Sequence, residues 1–440
     1  MTTTEPRITE SAKTESTKTE QTKTEQSTAT PPNTLPAGAL DGIRVLDFTR
    51  FMQGPYATRI FADLGAEVVK VERPGGEWDR RLRLSPAGFG GFFHSLNRGK
   101  RSMAVDITTD EGRELILKLA ATCDVVIENF RPGVMERLGL GYDQVRAVNP
   151  KVIFAAASGY GPYGPNAAEP MFDMVAQAVS GVSDFNRGLD GEPRLATRGL
   201  ADTAGGMYLA MAVLTALFVR ERTGEGQRVD ASLMGAAIGL HTAEVTIALD
   251  QDTVFRLGGN RVTSTSGAFK AGDDKWLVIA ATDQKLWVHL TTALGRQDLY
   301  DDERFAKSRI REKQRDILEP LIEETFLTKG RDEWVEILRA NGVPVAPVNS
   351  FLDLADDPDA LANGYIVEQP DRKWGTVKTV GLPFHLERTP GRVGAQTPEL
   401  GEDTVEELLI AGLSRDQIGD LVSRGIIEVY TDDAESGEKR

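Results

Sequence analysis

The sequence holds one cysteine, Cys123, in 440 residues. A single thiol forms no intramolecular disulfide and no Cys-based zinc site. Histidine is almost as scarce: His94, His241, His289 and His385 are scattered, with no H-E-x-x-H spacing, and no metal site is expected. No G-x-S-x-G elbow announces a serine nucleophile. The dinucleotide fingerprint is missing too. After the first strand-like run stands TRFMQGPY, with Gly54 alone, although Glu72 sits about where a ribose-binding acid would. No unbroken apolar run reaches 18 residues, so no membrane-spanning helix is expected. The N-terminus has no apolar segment of the signal-peptide kind. Positive charge is in deficit, 51 Lys and Arg against 66 Asp and Glu, a net charge of -15. That balance argues against nucleic acid or an anionic membrane as partner. An anionic ligand would need a local basic cluster. A cytoplasmic protein is the expectation.

Residues 1–36 are Thr, Glu, Lys, Ser and Gln, with K-T-E recurring at Lys13, Lys18 and Lys23. Such a segment buries too little apolar area to offset its ordering entropy and is predicted to be a disordered tail. From Leu40 a regular alternation begins. Strand-like runs at Ile43–Phe48, Glu67–Arg73, Ser102–Ile107, Asp124–Phe130 and Lys151–Ser158 are separated by helical stretches such as Pro55–Gly65. The pattern predicts an α/β fold with a doubly wound, Rossmann-like parallel sheet. After Arg228 the rhythm changes, and Val229–Leu249 reads as one long helix. We therefore expect a large domain over 37–245, a smaller α+β domain over 250–350, a return to the large domain over 352–428, and a loose tail at 429–440.

Two groups of residues invite chemistry. Arg73, the LNRGKRS run (Asn97, Arg98, Lys100, Arg101) and ENFRPGVMERLGLG (Asn129, Arg131, Arg137) flank strands of one half-sheet, where open α/β sheets collect ligands. Taken singly each side chain reads more readily as a solvated charge; together they make a phosphate-bearing ligand plausible. The second group is RGLADTAGGMYLAMAVLTALFVRERTGEGQR, Arg198–Arg228. Asp202 is either the cap of a helix over Gly206–Arg220 or a carboxylate nucleophile. An ordinary aspartate ionises near about 3.9 and needs no histidine beside it. A helix N-terminus would favour the ionised form. Ala201, Ala204, Gly205 and Gly206 would leave room for a substrate.

In order, the segments LDGIRVLDFTRFMQGPYATRIFADLGAEVVKVERPGG, FFHSLNRGKRSMAVDI, DVVIENFRPGVMERLGLGYDQV, ASGYGPYGP, FDMVAQAVSG, GLADTAGGMYLAMAVLTAL and RTGEGQRVDASL resemble the class III CoA-transferase family, from Leu40 to about residue 428. The resemblance implies a CoA-transferase with Asp202 as catalytic aspartate. That residue would form a mixed anhydride and then an aspartyl-CoA thioester. It implies CoA contacts by Arg73, Val105, Asn129, Phe130 and Arg137. Met52, Gln53, Phe172, Asp173, Gly258 and Gly259 would shape the substrate pocket, the two glycines matching a mobile loop. No permanent cofactor is implied, since the CoA thioester is itself a substrate. The partners implied are an acyl-CoA, a carboxylic acid, and a second chain, as an interlocked homodimer or a heteromer with a sister subunit. A racemase of α-methylacyl-CoA in the same superfamily needs a histidine where Phe172 stands. A non-catalytic partner subunit is the other alternative. Arg50 or Arg198 would suit the second carboxylate of a short dicarboxylate such as malate, with succinyl-CoA as donor.

Overall fold

The computed structural model describes residues 38–82, 90–254, 256–257, 259, 261–393 and 396–432. The K-T-E tail, Gly258 and the end of the C-terminal tail lie outside the described residues. The fold is that of the compact unit Pro36–Arg440.

Six strands come first: β1 Arg44–Asp47, β2 Glu67–Glu72, β3 Arg101–Val105, β4 Val125–Glu128, β5 Ile153–Ser158 and β6 Gln227–Ser232. Then follow β7 Arg261–Thr263, β8 Ser266–Lys270, β9 Trp276–Ala280 and β10 Val345–Pro347, a hairpin of β11 Ile366–Asp371 and β12 Gly375–Val380, and a last strand, β13 Ile427–Glu428. The main sheet runs β13-β3-β2-β1-β4-β5-β6, all parallel except for β13 against β3. Within β1–β6 this is the doubly wound order 3-2-1-4-5-6.

Its strands read as apolar runs because helices cover both faces. On one face Leu46, Val69, Val126 and Phe154 meet Leu115 and Leu119 of the helix Asp110–Ala120, together with Leu408 and Ile418 of two helices near the C-terminus. On the other, Val45, Val68, Ile127 and Ile153 meet Phe61 of the helix Gln53–Asp63 and Leu209, Val213 and Leu217 of the helix Leu200–Thr223. A separate core of Phe269, Leu277, Trp287, Phe305, Phe326 and Trp334 fills the space under the antiparallel sheet β10-β9-β8-β7.

Two expectations change. Val229–Leu249 is not one helix. Gly224, at φ +75, ends the long helix, and Gly226 lies so close to Val152 that a Cβ would sit 2.1 Å from its carbonyl oxygen. That approach lets residues 227–232 join the edge of β5 as a strand, and Ser232 then caps a new helix by accepting from the Gly235 amide. The helix read over Gly206–Arg220 is longer, Leu200–Thr223, which puts Asp202 inside its first turn. That helix is also long and apolar enough to cross a membrane by length and composition alone. Here it is a core helix on one side, with Met207, Met211 and Phe218 exposed on the other.

Candidate active site

The sheet reverses its winding direction between β1 and β4, the switch point at whose carboxyl ends open α/β sheets collect ligands. The loop leaving β1 is held there from several sides. Asn129, just after β4, brackets Arg50: its Oδ1 accepts from the Arg50 amide at 2.7 Å and its Nδ2 donates to the Arg50 carbonyl at 2.8 Å. The Phe51 amide donates to Asp79 Oδ2 at 3.1 Å. Phe51 has φ +62, a left-handed conformation costing a non-glycine residue about 1 kcal/mol or more. Beneath the loop, Lys70 Nζ donates to the Thr49 carbonyl at 2.7 Å, and Lys100 Nζ lies 3.0 Å from Asp47 Oδ2. Burial draws Lys100 down to about 8 against the pull of Asp47. Burial alone would raise Asp47, but Lys100 and Lys70 outweigh it and hold its carboxyl below the usual range.

Met52, at the end of that loop, and Gln53, the first residue of the helix that follows, lie against the long helix. A Cβ on Gly199 would meet Met52 Sδ at 2.9 Å, and one on Gly205 would meet Gln53 Nε2 at 2.7 Å. A Cβ on Gly206 would lie 2.6 Å from the Gln53 carbonyl oxygen. The Gly-Gly step therefore admits the neighbouring helix rather than a substrate, contrary to the sequence expectation. Gln53 is buried, and its Nε2 has no hydrogen-bond partner among the described residues.

Asp202 does not cap its helix. The N-cap is Gly199, at φ +73, and the orphan amides of the first turn are taken by Asp173. Asp173 Oδ2 accepts from the Gly199 amide at 3.0 Å, while Oδ1 accepts from Ala201 at 2.7 Å and more weakly from Asp202 at 3.4 Å. Gln177 steadies this arrangement. Its Nε2 donates to Asp173 Oδ2 at 2.8 Å and to the Thr197 carbonyl at 2.7 Å, and its Oε1 accepts from the Ala196 amide at 2.9 Å. Among the described residues the Asp202 carboxylate accepts no hydrogen bond. Burial, with the negative Asp173 beside it, pushes its carboxyl up to about 7. The ionised state expected of an ordinary aspartate is thus only partly populated at neutral pH, which is where a poised nucleophile or base is useful.

The other expected site residues fall into two sets. Asn129 works through its bracket on Arg50, and the Arg50 guanidinium stacks 4.6 Å over the Phe130 ring. Arg73 and Arg137 are exposed beyond β2 and β4. Val105, at the end of β3, is 1 % exposed and paired beside Ile427, so its side chain belongs to the core and offers no surface to a ligand. The LNRGKRS run is no phosphate cluster either. Arg98 pairs with Asp63 at 2.9 Å, Lys100 with Asp47, and Arg101 with Asp403 at 3.2 Å and Glu406 at 2.8 Å. Gly259, at φ +110, stands against Leu189, and Gly258 is outside the described residues. Phe172 is 60 % exposed, not in the core, and meets Phe51 edge-on. The sequence did not single out Glu128, whose Oε2 accepts from the Phe130 amide at 2.7 Å and whose carboxyl burial pushes up to about 8. Its position at the end of an apolar strand was the available signal.

Residues 40–404 match the CoA-transferase family III. The chain belongs to that family. It is 38% identical over 386 residues to a probable fatty acyl-CoA transferase of Mycobacterium tuberculosis, covering 84% of this chain and 98% of the relative. It is 36% identical over 394 residues to a succinyl-CoA:mesaconate CoA-transferase of Haloarcula hispanica, covering 86% and 97%. The crystal structure of a CAIB/BAIF family protein from Brucella suis superposes with a TM-score of 0.77 at 32% identity, covering 85% of this chain and 99% of that one. As a family III CoA-transferase, the enzyme takes CoA thioesters as substrates.

Proposed function

We propose that this enzyme moves CoA from an acyl-CoA donor to a carboxylate acceptor through covalent chemistry at Asp202. The observation that carries the reading is a carboxylate in the first turn of a buried helix whose capping is done by Asp173. Asp202 is left with its lone pairs unengaged among the described residues. In the first step an Asp202 oxygen attacks the thioester carbonyl and CoA leaves as thiolate, giving a mixed anhydride. The thiolate attacks the aspartyl carbonyl, the donor acid leaves as carboxylate, and an aspartyl-CoA thioester remains. The acceptor carboxylate then attacks that thioester and releases the thiolate, which takes the acyl group from the second anhydride and restores Asp202. Each bond broken is replaced by one of similar energy, and no proton is consumed. Gln53 Nε2, without a hydrogen-bond partner among the described residues, is a donor suited to an oxyanion in these steps.

Of the two arginines considered for a second carboxylate, Arg50 is engaged by Glu77 at 2.9 Å and by Phe130. Arg198 is exposed, so neither arginine favours a dicarboxylate such as malate, with succinyl-CoA as donor, over other acids. The exposed apolar face of the long helix, with Met207, Met211 and Phe218 near Phe384, suits a second chain, and we propose an interlocked dimer of identical chains. The test of the chemistry is intact and peptide mass spectrometry after mixing with an acyl-CoA and no acceptor. A CoA adduct on the peptide bearing Asp202, lost in Asp202→Ala, is expected. Full exchange activity in Asp202→Ala would overturn the assignment.

A further inference from the structure

Three aromatic side chains from three separate segments meet next to Asp173, whose carboxylate accepts from the Asp202 amide. Phe51 comes from the loop after β1, Trp78 from the short turn Trp78–Arg81 beyond β2, and Phe172 from the residue before Asp173. The Phe51 and Phe172 rings are 5.8 Å apart at 87°, and Phe51 and Trp78 are 6.1 Å apart at 49°. They are 39, 56 and 60 % exposed for Phe51, Trp78 and Phe172 respectively. Core packing therefore does not account for them.

The cluster is also built rather than incidental. Phe51 is held in a left-handed conformation by the buried Asp79 and by the Asn129 bracket on its neighbour, and its ring is 39 % exposed. Its chain neighbours lead straight to the nucleophile. Met52 packs on Gly199, and Asp173 accepts from the amides of Ala201 and Asp202. The cation nearest in sequence, Arg50, is consumed by Glu77 and Phe130. An apolar wall with edge-to-face geometry and its adjacent charge neutralised recognises a flat apolar group.

We infer that the acyl group exchanged at Asp202 has an apolar, ring-bearing body seated among Phe51, Trp78 and Phe172, not a second carboxylate. The inference rests on the CoA-transfer reading with Asp202 as nucleophile. Its test uses binding rather than turnover, so the two fail separately. Full-length Asp202→Asn protein is titrated by calorimetry with phenylacetyl-CoA and with succinyl-CoA. Phenylacetyl-CoA is expected to bind roughly tenfold tighter. That preference is expected to shrink toward parity when Phe172→Ala or Trp78→Ala is added. Both side chains are more than half exposed, so their removal leaves the core intact. Equal or tighter binding of succinyl-CoA, or a preference that survives both substitutions, overturns the inference. Failure of the Asp202 adduct in the wild-type enzyme would instead strike the covalent reading.

Discussion

Asp202→Asn is expected to abolish catalysis and to stabilise the fold, and the stabilisation has a pH signature. The native carboxyl is raised from its ordinary 3.8 to about 7 by burial and by Asp173. At 1.36 kcal/mol per pH unit this corresponds to a penalty of about 4 kcal/mol once the group is ionised in both states. The side chain is half-buried, so solvent screens part of this, and about 1–3 kcal/mol is the expected gain. The sign follows from proton counting. Below pH 4 native and unfolded chains both hold the proton, and the term vanishes. Between pH 4 and 7 the unfolded aspartate has ionised while the native one has not, so the native state binds more protons and stability falls as pH rises. Above about pH 7 the penalty is complete. The melting temperatures of wild type and Asp202→Asn, measured by calorimetry at one protein concentration and at pH 5, 6, 7 and 8, should therefore diverge with pH and level off. A gap that stays constant across the series, or a variant less stable at pH 8, would refute the claim that Asp202 is held against its own ionisation. Acyl exchange by the same variant is expected to drop about a thousandfold or more.

Four other outcomes are expected. The kcat/KM of the wild type should rise through about pH 7 as Asp202 ionises, and Asp173→Asn should move that midpoint lower by removing the neighbouring charge; a pH–rate profile with an unmoved midpoint would contradict the coupling. Gly206→Ala should cost about 1–3 kcal/mol in denaturant unfolding, because its Cβ would lie 2.6 Å from the Gln53 carbonyl oxygen, which is backbone and yields little. Lys100→Met should cost about 3–5 kcal/mol by stranding the buried Asp47, with a loss near zero showing that Lys70 suffices alone. Arg73→Ala and Arg137→Ala should each raise KM for acyl-CoA several-fold with a smaller change in kcat, and unaltered KM in both would remove them from the CoA site.

Much of this enzyme was determined by its sequence alone. Spacing and apolar runs specify the doubly wound sheet, since β1–β5 are buried on both faces and their residues have few alternatives to such strands. The ordered segments from Leu40 onward marked the family and singled out Asp202. Tertiary structure decided what charges and glycines do. A run such as LNRGKRS reads as a basic cluster until Asp63, Asp47 and Asp403, distant in sequence, arrive to neutralise it. Gly205 and Gly206 read as space until Gln53 occupies it. The residues around Asp202 read first as a helix cap because the actual cap, Asp173, lies 29 residues away and reaches the helix only once the chain is folded. The same approach raises its pKa, a property set by burial and by a neighbouring charge and carried by no local pattern.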